Sequence, residues 1–468
     1  MSSNLEVYIG KYLIPEIVAQ LDNEELISYK AKSTGGLDSF MSSLYDIKLK
    51  TKTREGIKER LLFAKFMRGD VSFRETSKSY TQFSNEIYAY GKVLPAYDKL
   101  LKDLNVNSLN VKDLVAPIYI AKFGYIEGLS SAPNVREAAL VMENLKSLGY
   151  QLGPRLVLKT EHLLNMSKRL GQLHALSYAL KAVEPKQFET LKSGIIDFPF
   201  INENDPNDIK NNSYRILHRH AFDRLYDFVE RKLNTETFNK KCSKDLKLIE
   251  CLEKLKAKYF DLPTRLPEKL RTKVNNTEED RYFATILHGD YNRNNVLFKY
   301  KAEEVTMYKD NFVKDVKLID FQQLRFDSPA LDLSFFMYFN TAEEERYAIW
   351  EDLLKTYHNT MFSTLSTTLK ASQKSVEDIS KILQNYTFAK FLAHFARFAF
   401  YGVVICLHFL HWMFCSPQEC TRISELWTTD IHGEEFRKLS LEAGGDEVNM
   451  KFLSILRHAC EMGYMDDL

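Results

Sequence analysis

His288-Gly-Asp290-Tyr-Asn-Arg-Asn-Asn295-Val-Leu-Phe298, followed by Val316-Lys-Leu-Ile-Asp320-Phe-Gln322, is the stretch on which the reading of the chain turns. Two short apolar runs, Val296–Tyr300 and Val316–Ile319, have the length and composition of buried strands. The polar residues fall at their ends. Asp290 stands on the turn that leaves a third run, Phe283–Leu287, and Asn295 directly precedes the next strand. Asp320 closes the last one. A carboxylate on a loop leaving a strand can meet an incoming hydroxyl group and take its proton. An amide oxygen and a second carboxylate on neighbouring strands are hard oxygen donors of the kind magnesium prefers. The bland alternative is a set of turn-forming Asp and Asn residues. It explains each residue singly but not their order.

Together, His-x-Asp-x-x-x-x-Asn, strand, polar linker, strand and Asp-Phe resemble the catalytic and metal motifs of protein-kinase-like enzymes. In phosphoryl transfer the protein positions the reactants and neutralises charge, and a carboxylate orients the attacking hydroxyl. On that reading Asp290 is the catalytic residue, and Asn295 and Asp320 are the metal ligands. Upstream, Phe63-Ala-Lys65-Phe puts a charge inside an apolar strand, where it needs an anionic partner. Phosphates of ATP would supply one and Glu86, on the helix expected over Ser72–Leu94, another. Gly35-Gly36 through Ser42-Ser43 precedes the lysine strand. It is the candidate phosphate-covering loop, with the Ser42 hydroxyl as a cap, although it lacks Gly-x-Gly-x-x-Gly. His288 reads as a brace for the loop.

Working outward, Asp46–Lys52 alternates polar and apolar residues as a strand does, and Arg54-Glu-Gly56 suits a turn. Ala138–Met142 is another apolar strand. After residue 145 the pattern changes to long amphipathic helices, at Thr160–Leu180, Tyr214–Leu233 and Leu246–Tyr259. The expected fold class is α+β: a two-lobed protein-kinase-like fold with a small strand-rich lobe over 1–145 and a large, mainly helical lobe over 146–468.

The same segments resemble the ecdysteroid-kinase-like family, itself similar to choline kinases and aminoglycoside phosphotransferases. The resemblance rests on His288-Gly-Asp290 through Phe298, Ile319-Asp320-Phe-Gln, and Arg325-x-x-Ser-Pro-Ala-Leu-Asp332-Leu. It extends upstream through Phe83-x-x-Glu86-Ile-Tyr, Val141-Met-Glu143-Asn-Leu145 and Leu170-Gly-Gln-Leu-His174-Ala, and so covers about residues 30 to 415. It implies ATP as phosphoryl donor with Mg2+, and a hinge at Val141–Leu145 whose backbone at Glu143 and Leu145 meets adenine. Asp332 would hydrogen-bond the catalytic loop, and His174 would pack the helical lobe. The implied acceptor is a small-molecule alcohol, ecdysteroid-like or otherwise lipophilic. Asn144 stands where such members commonly carry Asp, and the glycine loop is poorly matched.

Choline or another amino alcohol is the alternative acceptor, and a non-catalytic pseudokinase binding ATP or a hormone is the alternative class. Phe198, Phe200, Tyr214, His218, Phe222 and Tyr226 are candidates for an acceptor pocket, although aromatics at this spacing more often form core.

Composition narrows the rest. Across 468 residues, 45% hydrophobic and 27% charged, the formal net charge is +1, which gives no global field for nucleic acid or acidic membrane. Six cysteines without a Cys-x-x-Cys pair read as reduced thiols. No signal peptide is legible, so a cytoplasmic protein is expected. Phe398–Cys415 lacks Asp, Glu, Lys and Arg and comes near the length of a membrane span. Its two histidines, His408 and His411, favour a buried core helix, so no membrane span is expected. Oligomeric state is not legible.

Overall fold

A buried lysine must be held between a sheet and a helix, and one of the two compact units of the chain is built to do that. The computed structural model describes residues 4–34, 42–155, 158–197, 199–201, 212–233, 235–238, 242–272, 274, 277–301 and 313–468. The first unit comprises residues 1–152, 185–196 and 295–324; the second comprises 153–184, 197–294 and 325–468. Each is therefore discontinuous, whereas the sequence suggested one division at 145/146.

The first unit carries an antiparallel five-stranded sheet in the order β1-β2-β3-β5-β4. Its strands are β1 (Glu25–Ser33), β2 (Ser42–Thr53), β3 (Gly56–Met67), β4 (Ile118–Gly124) and β5 (Glu137–Glu143). The expected turn at Arg54–Gly56 joins β2 to β3, with Gly56 at φ 131°, a conformation that disfavours other residues. Alternation along β3 sends Leu62, Ala64 and Phe66 into the core and Lys65 to the opposite face. That core is closed by an N-terminal helical segment, Asn4–Tyr8, a π-turn Ile9–Leu13 and Ile14–Ala19. Tyr8, Ile9, Leu13, Ile14 and Ile17 pack there against Ile47, Leu49, Phe66 and Val141. Burying each such side chain is worth about 1.5–3 kcal/mol.

The helix expected over Ser72–Leu94 is broken. Val71–Thr76 ends where the Ser77 hydroxyl donates to the Phe73 carbonyl at 2.6 Å and Lys78 turns left-handed, at φ 56°. Helix α1 (Ser79–Tyr88) follows, then a π-turn Ala89–Val93. Pro95, which lacks an N–H, sits in the first turn of the next helix, Leu94–Asp103, and the π-turn absorbs the missing bond. A second, three-stranded antiparallel sheet in this unit orders β6 (Tyr150–Leu152), β8 (Val296–Tyr300) and β9 (Val313–Leu318) as β6-β8-β9.

The second unit is mainly helical. Its principal helices are α2 (Thr160–Val183), α3 (Ser213–Lys232), α4 (Ser243–Tyr259), α5 (Glu278–Phe283), α6 (Pro329–Asn340), α7 (Glu343–Ala371), α8 (Phe388–Phe398), α9 (Phe400–Phe414) and α10 (Gly445–Glu461). One small antiparallel ladder, β7 (Thr285–Leu287) with β10 (Arg325–Asp327), runs through it. Every residue of α6 is buried. Helix α9 crosses it closely: a Cβ on Gly402 would lie 2.2 Å from the backbone carbon of Ser334. The Gly402 amide donates to the Ser334 hydroxyl at 3.0 Å.

The apolar run is thus a core helix, with Phe400–His408, Leu410 and His411 buried. Among the described residues no single helix is long and apolar enough to cross a membrane. Val376–Phe398 and Phe400–Phe414 would pass together by length and composition, but they are bent by 46°. The rings of Phe200, Tyr214 and His218 pack on one another edge-on or tilted, with centroids 5.2 to 6.3 Å apart, and Phe222 packs on Tyr226. Phe200, His218, Phe222 and Tyr226 are buried core; Phe198 lies outside the described residues.

Burial pushes the His408 imidazole down to about 3, its ring lying 4.5 Å from that of His218. At pH 5 this histidine is then neutral when folded and protonated when unfolded. Its stabilising contribution is full above about pH 6.5 and is lost as pH falls toward 3, about 2 kcal/mol being gone at pH 5. Urea midpoints between pH 7.5 and 5 should therefore fall more steeply for the wild type than for His408→Phe, by about that amount. Parallel profiles would show that this histidine titrates normally.

Candidate active site

Lys65 stands at the inner end of β3, and its ammonium lies 2.8 Å from Glu86 Oε2 and 3.0 Å from Asp320 Oδ1. The Phe83 ring, one turn before Glu86 on α1, packs 5.4 Å from the same nitrogen. Only 10% of the lysine side chain and 2% of the glutamate are exposed, against 26% for Asp320. Burial alone would push the lysine pKa down; the charges of Asp320 and Glu86 outweigh it and raise it above the ordinary value. Glu86 responds in the opposite sense. Burial lifts it to about 7, against the pull of Lys65 and with the help of Asp320.

Three elements hold this triad in place. Asn85 pins α1 with its side-chain amide, donating to the carbonyls of Ile196 at 2.9 Å and Leu324 at 3.3 Å, and accepting from the Ile196 amide. Asp320 adopts φ 66°, a left-handed conformation that Asp tolerates better than most residues. Such strain persists where surrounding structure enforces it. The ring of Tyr90 against Phe321, 5.4 Å between centroids, is part of that enforcement.

Asn295 is buried beside this aspartate. Its carbonyl accepts from the Ile319 amide at 3.0 Å, just beyond the Val296–Leu318 pair of the β8–β9 ladder. One ammonium faces two carboxyl groups here, and Asn295, at the head of β8, is joined through its backbone carbonyl to the residue before Asp320. Carboxylate and amide oxygens are the donors that suit magnesium, which keeps several waters and takes one or two carboxylates plus substrate phosphates. Among the described residues no cluster of three or more His, Cys, Asp or Glu side chains forms a self-sufficient metal site.

The residues expected to form a hinge are also in this unit. Glu143 closes β5, its amide donating to Pro117 O, and the Asn144 amide donates to Leu61 O, both at 2.9 Å. Leu145 opens a short 3₁₀ turn. Asn144 is used structurally: its Nδ2 donates to Asp46 on β2 at 2.9 Å, and its Oδ1 caps that turn at the Lys146 amide. Ser42 is buried as the first residue of β2, opposite Met67; residues 35–41 of the candidate phosphate loop lie outside the described residues.

Asp290 belongs to the second unit. It follows Gly289, which is at φ 84°, and its half-exposed carboxylate accepts from Asn292 Nδ2 at 2.8 Å. The loop around it hangs on α6. Asp332 accepts from the His288 amide at 2.8 Å and the Gly289 amide at 2.9 Å, and Asn340, at the other end of the helix, accepts from the Arg293 amide at 3.2 Å. Tyr291 adds a bond to Met166 O at 2.8 Å. Asp332 therefore holds backbone, as the resemblance implied, and His174 lies 3.4 Å from it while bonding Tyr357 at 2.8 Å.

Two features escaped the sequence reading. The direct Lys65–Asp320 pair spans 255 positions, beyond any local pattern. Asn340 carried a signal: it lies eight residues after Asp332, on the same face of a helix.

Removing one member of a buried ion pair strands the other. Lys65→Met should cost about 3 kcal/mol by leaving Glu86 unpaired. Adding Glu86→Leu should recover most of that loss in urea unfolding, with no recovery of any ATP-dependent activity. A double variant no more stable than Lys65→Met would show that the pair is not coupled.

The sequence profile of the ecdysteroid kinase-like family matches residues 36–370. No functionally curated protein matches the chain. Among solved structures, an ethanolamine kinase of Plasmodium vivax aligns at 13% identity, covering 88% of this chain and 84% of its own, with a TM-score of 0.32. The apoenzyme of the macrolide 2′-phosphotransferase MphH from Brachybacterium faecium aligns at 11% identity, covering 89% and 98%, with a TM-score of 0.29. With well over half of its 468 residues matched by the family profile, the chain belongs to the ecdysteroid kinase-like family.

Proposed function

We propose that this small-molecule phosphotransferase of the kinase-like fold takes the γ-phosphoryl group of ATP, with magnesium, and delivers it in the cytoplasm to a hydroxyl group of an ecdysteroid or similar lipophilic alcohol. The observation that carries the reading is the buried Lys65–Glu86–Asp320 triad, in which one protonated ammonium lies 2.8 Å from Glu86 and 3.0 Å from Asp320. ATP supplies the phosphoryl group, and magnesium bound to it offsets the charge that builds on the phosphate oxygens.

The protein's own groups do the rest. Lys65 binds the α and β phosphates, oriented by Glu86. Asp320 and Asn295 hold the metal. Asp290 orients the acceptor hydroxyl and takes its proton, in a loop whose amides are already spent on Asp332 and Asn340 and so keep it in one conformation. Glu143 and Leu145 meet the adenine through their backbone groups.

The direct test is to incubate the purified protein with ATP, magnesium and, separately, ecdysteroids, other sterols, choline and ethanolamine, and to look by mass spectrometry for products heavier by one phosphate. A phosphorylated steroid is expected. Phosphocholine or phosphoethanolamine would establish the amino-alcohol reading instead, and ATP binding without any transfer would establish a pseudokinase.

The two carboxylates should separate in kinetics. Asp290→Asn removes the proton acceptor from a nearly unchanged shape, so turnover should fall ~10²–10⁴-fold with little change in acceptor KM. Asp320→Asn weakens the metal site, so its defect should be partly relieved by raised magnesium or by manganese. Identical responses of the two variants to metal would refute the assignment of Asp290.

A further inference from the structure

Deep in the second unit a serine, a histidine and an aspartate form a continuous hydrogen-bonded chain. Ser328 Oγ lies 2.7 Å from His394 Nε2, and His394 Nδ1 lies 2.9 Å from Asp280 Oδ1. All three are at most 4% exposed. The same arrangement serves as a nucleophile and base in hydrolases, but this serine is already committed. Its Oγ accepts from the Ala330 amide at 3.2 Å, as the N-cap of α6. The donors and acceptors fit one orientation throughout: Ala330 N–H to Ser328 Oγ, Ser328 O–H to His394 Nε2, His394 Nδ1–H to Asp280. Burial lowers the His394 pKa, which favours this neutral form. The ring is gripped by Phe283 and Phe398, 4.7 and 4.6 Å away between centroids, and Arg397 completes the shell of Asp280.

The position of the chain gives it a role. Asp280 sits on α5, which leads through β7 directly into His288-Gly289-Asp290. Ser328 directly follows β10, the partner of β7, and caps α6, whose first turn carries Asp332. The two segments that fix the catalytic loop are thus tied to each other through one imidazole on α8. We propose that Asp280, His394 and Ser328 are positioning residues whose buried relay registers α6 against the strand entering the catalytic loop, and so sets the loop that carries Asp290. The proposal rests on the phosphotransferase reading for its effect on rate, though not for its effect on the loop.

His394→Phe keeps the ring packing and removes both nitrogens; Ser328→Ala removes only the hydroxyl; Ser328→Thr restores it. Leu248→Ala, a buried change on α4, supplies a comparable loss of stability elsewhere in the unit. Each is compared for kcat and for KM of ATP per folded molecule, using the acceptor phosphorylated by wild type, and for amide exchange of the 288–290 peptide.

The relay predicts a kcat at least tenfold lower in His394→Phe and Ser328→Ala, with KM for ATP within twofold, since Lys65 and its partners belong to the other unit. Ser328→Thr should stay near wild type, and exchange at 288–290 should accelerate about tenfold in the first two variants but not in Leu248→Ala. If His394→Phe does not fold, Ser328→Ala decides alone. Unchanged exchange at 288–290, or a kcat loss no greater than that of Leu248→Ala, overturns the relay. A wild type that transfers nothing overturns the functional reading instead, and exchange then decides the relay by itself.

Discussion

A lysine ammonium removed from water must be surrounded by negative charge or give up its proton, and the first unit of this chain is arranged around that requirement. Lys65 meets it with two carboxylates drawn from different places: Glu86 from α1, and Asp320 from the turn after β9. Neither carboxylate reaches the lysine unless its element is pinned. The side-chain bonds of Asn85 on α1, the aromatic contact of Tyr90 with Phe321 and the left-handed backbone of Asp320 all serve that end.

The second unit solves a different problem, that of holding a loop rather than a charge. Backbone amides of His288, Gly289 and Arg293 are tied to the two ends of α6, a helix buried on every side. A loop bonded to a helix that is itself free to shift would gain little. Close packing without room for a Cβ at Gly402, and the Ser328–His394–Asp280 chain at the helix start, remove that freedom.

Much of this was legible in the sequence because the signals are local. The strand ends that carry Asp290, Asn295 and Asp320, the lysine in an apolar strand and the helical repeat around Glu86 all lie within short windows, where periodicity works. The apolar run at 398–415 was readable as core because histidines are poor company for lipid. What stayed hidden is non-local or lacks a period. Strand β1 is almost wholly exposed and shows no alternation of burial. The break at Lys78 comes with one serine, Ser77, bonding the carbonyl of Phe73 four residues back. The N-terminal segment finds its place only against a sheet whose strands are far along the chain. The ion pair of Lys65 with Asp320, and the meeting of residues 280, 328 and 394, are contacts that no window spans.

The separation of 255 positions between Lys65 and Asp320 has a consequence for the chain as it is made. Ribosomes add roughly 5–20 residues per second, so the lysine waits on the order of tens of seconds for its second carboxylate. During that time β1 to β5 and α1 can assemble, with Glu86 alone as counter-charge, but the segment that supplies Asp320 does not yet exist. The nascent sheet therefore passes through an interval with one face unfinished, and translation speed across residues 150–320 decides how long that face is open to the folding machinery of the cell.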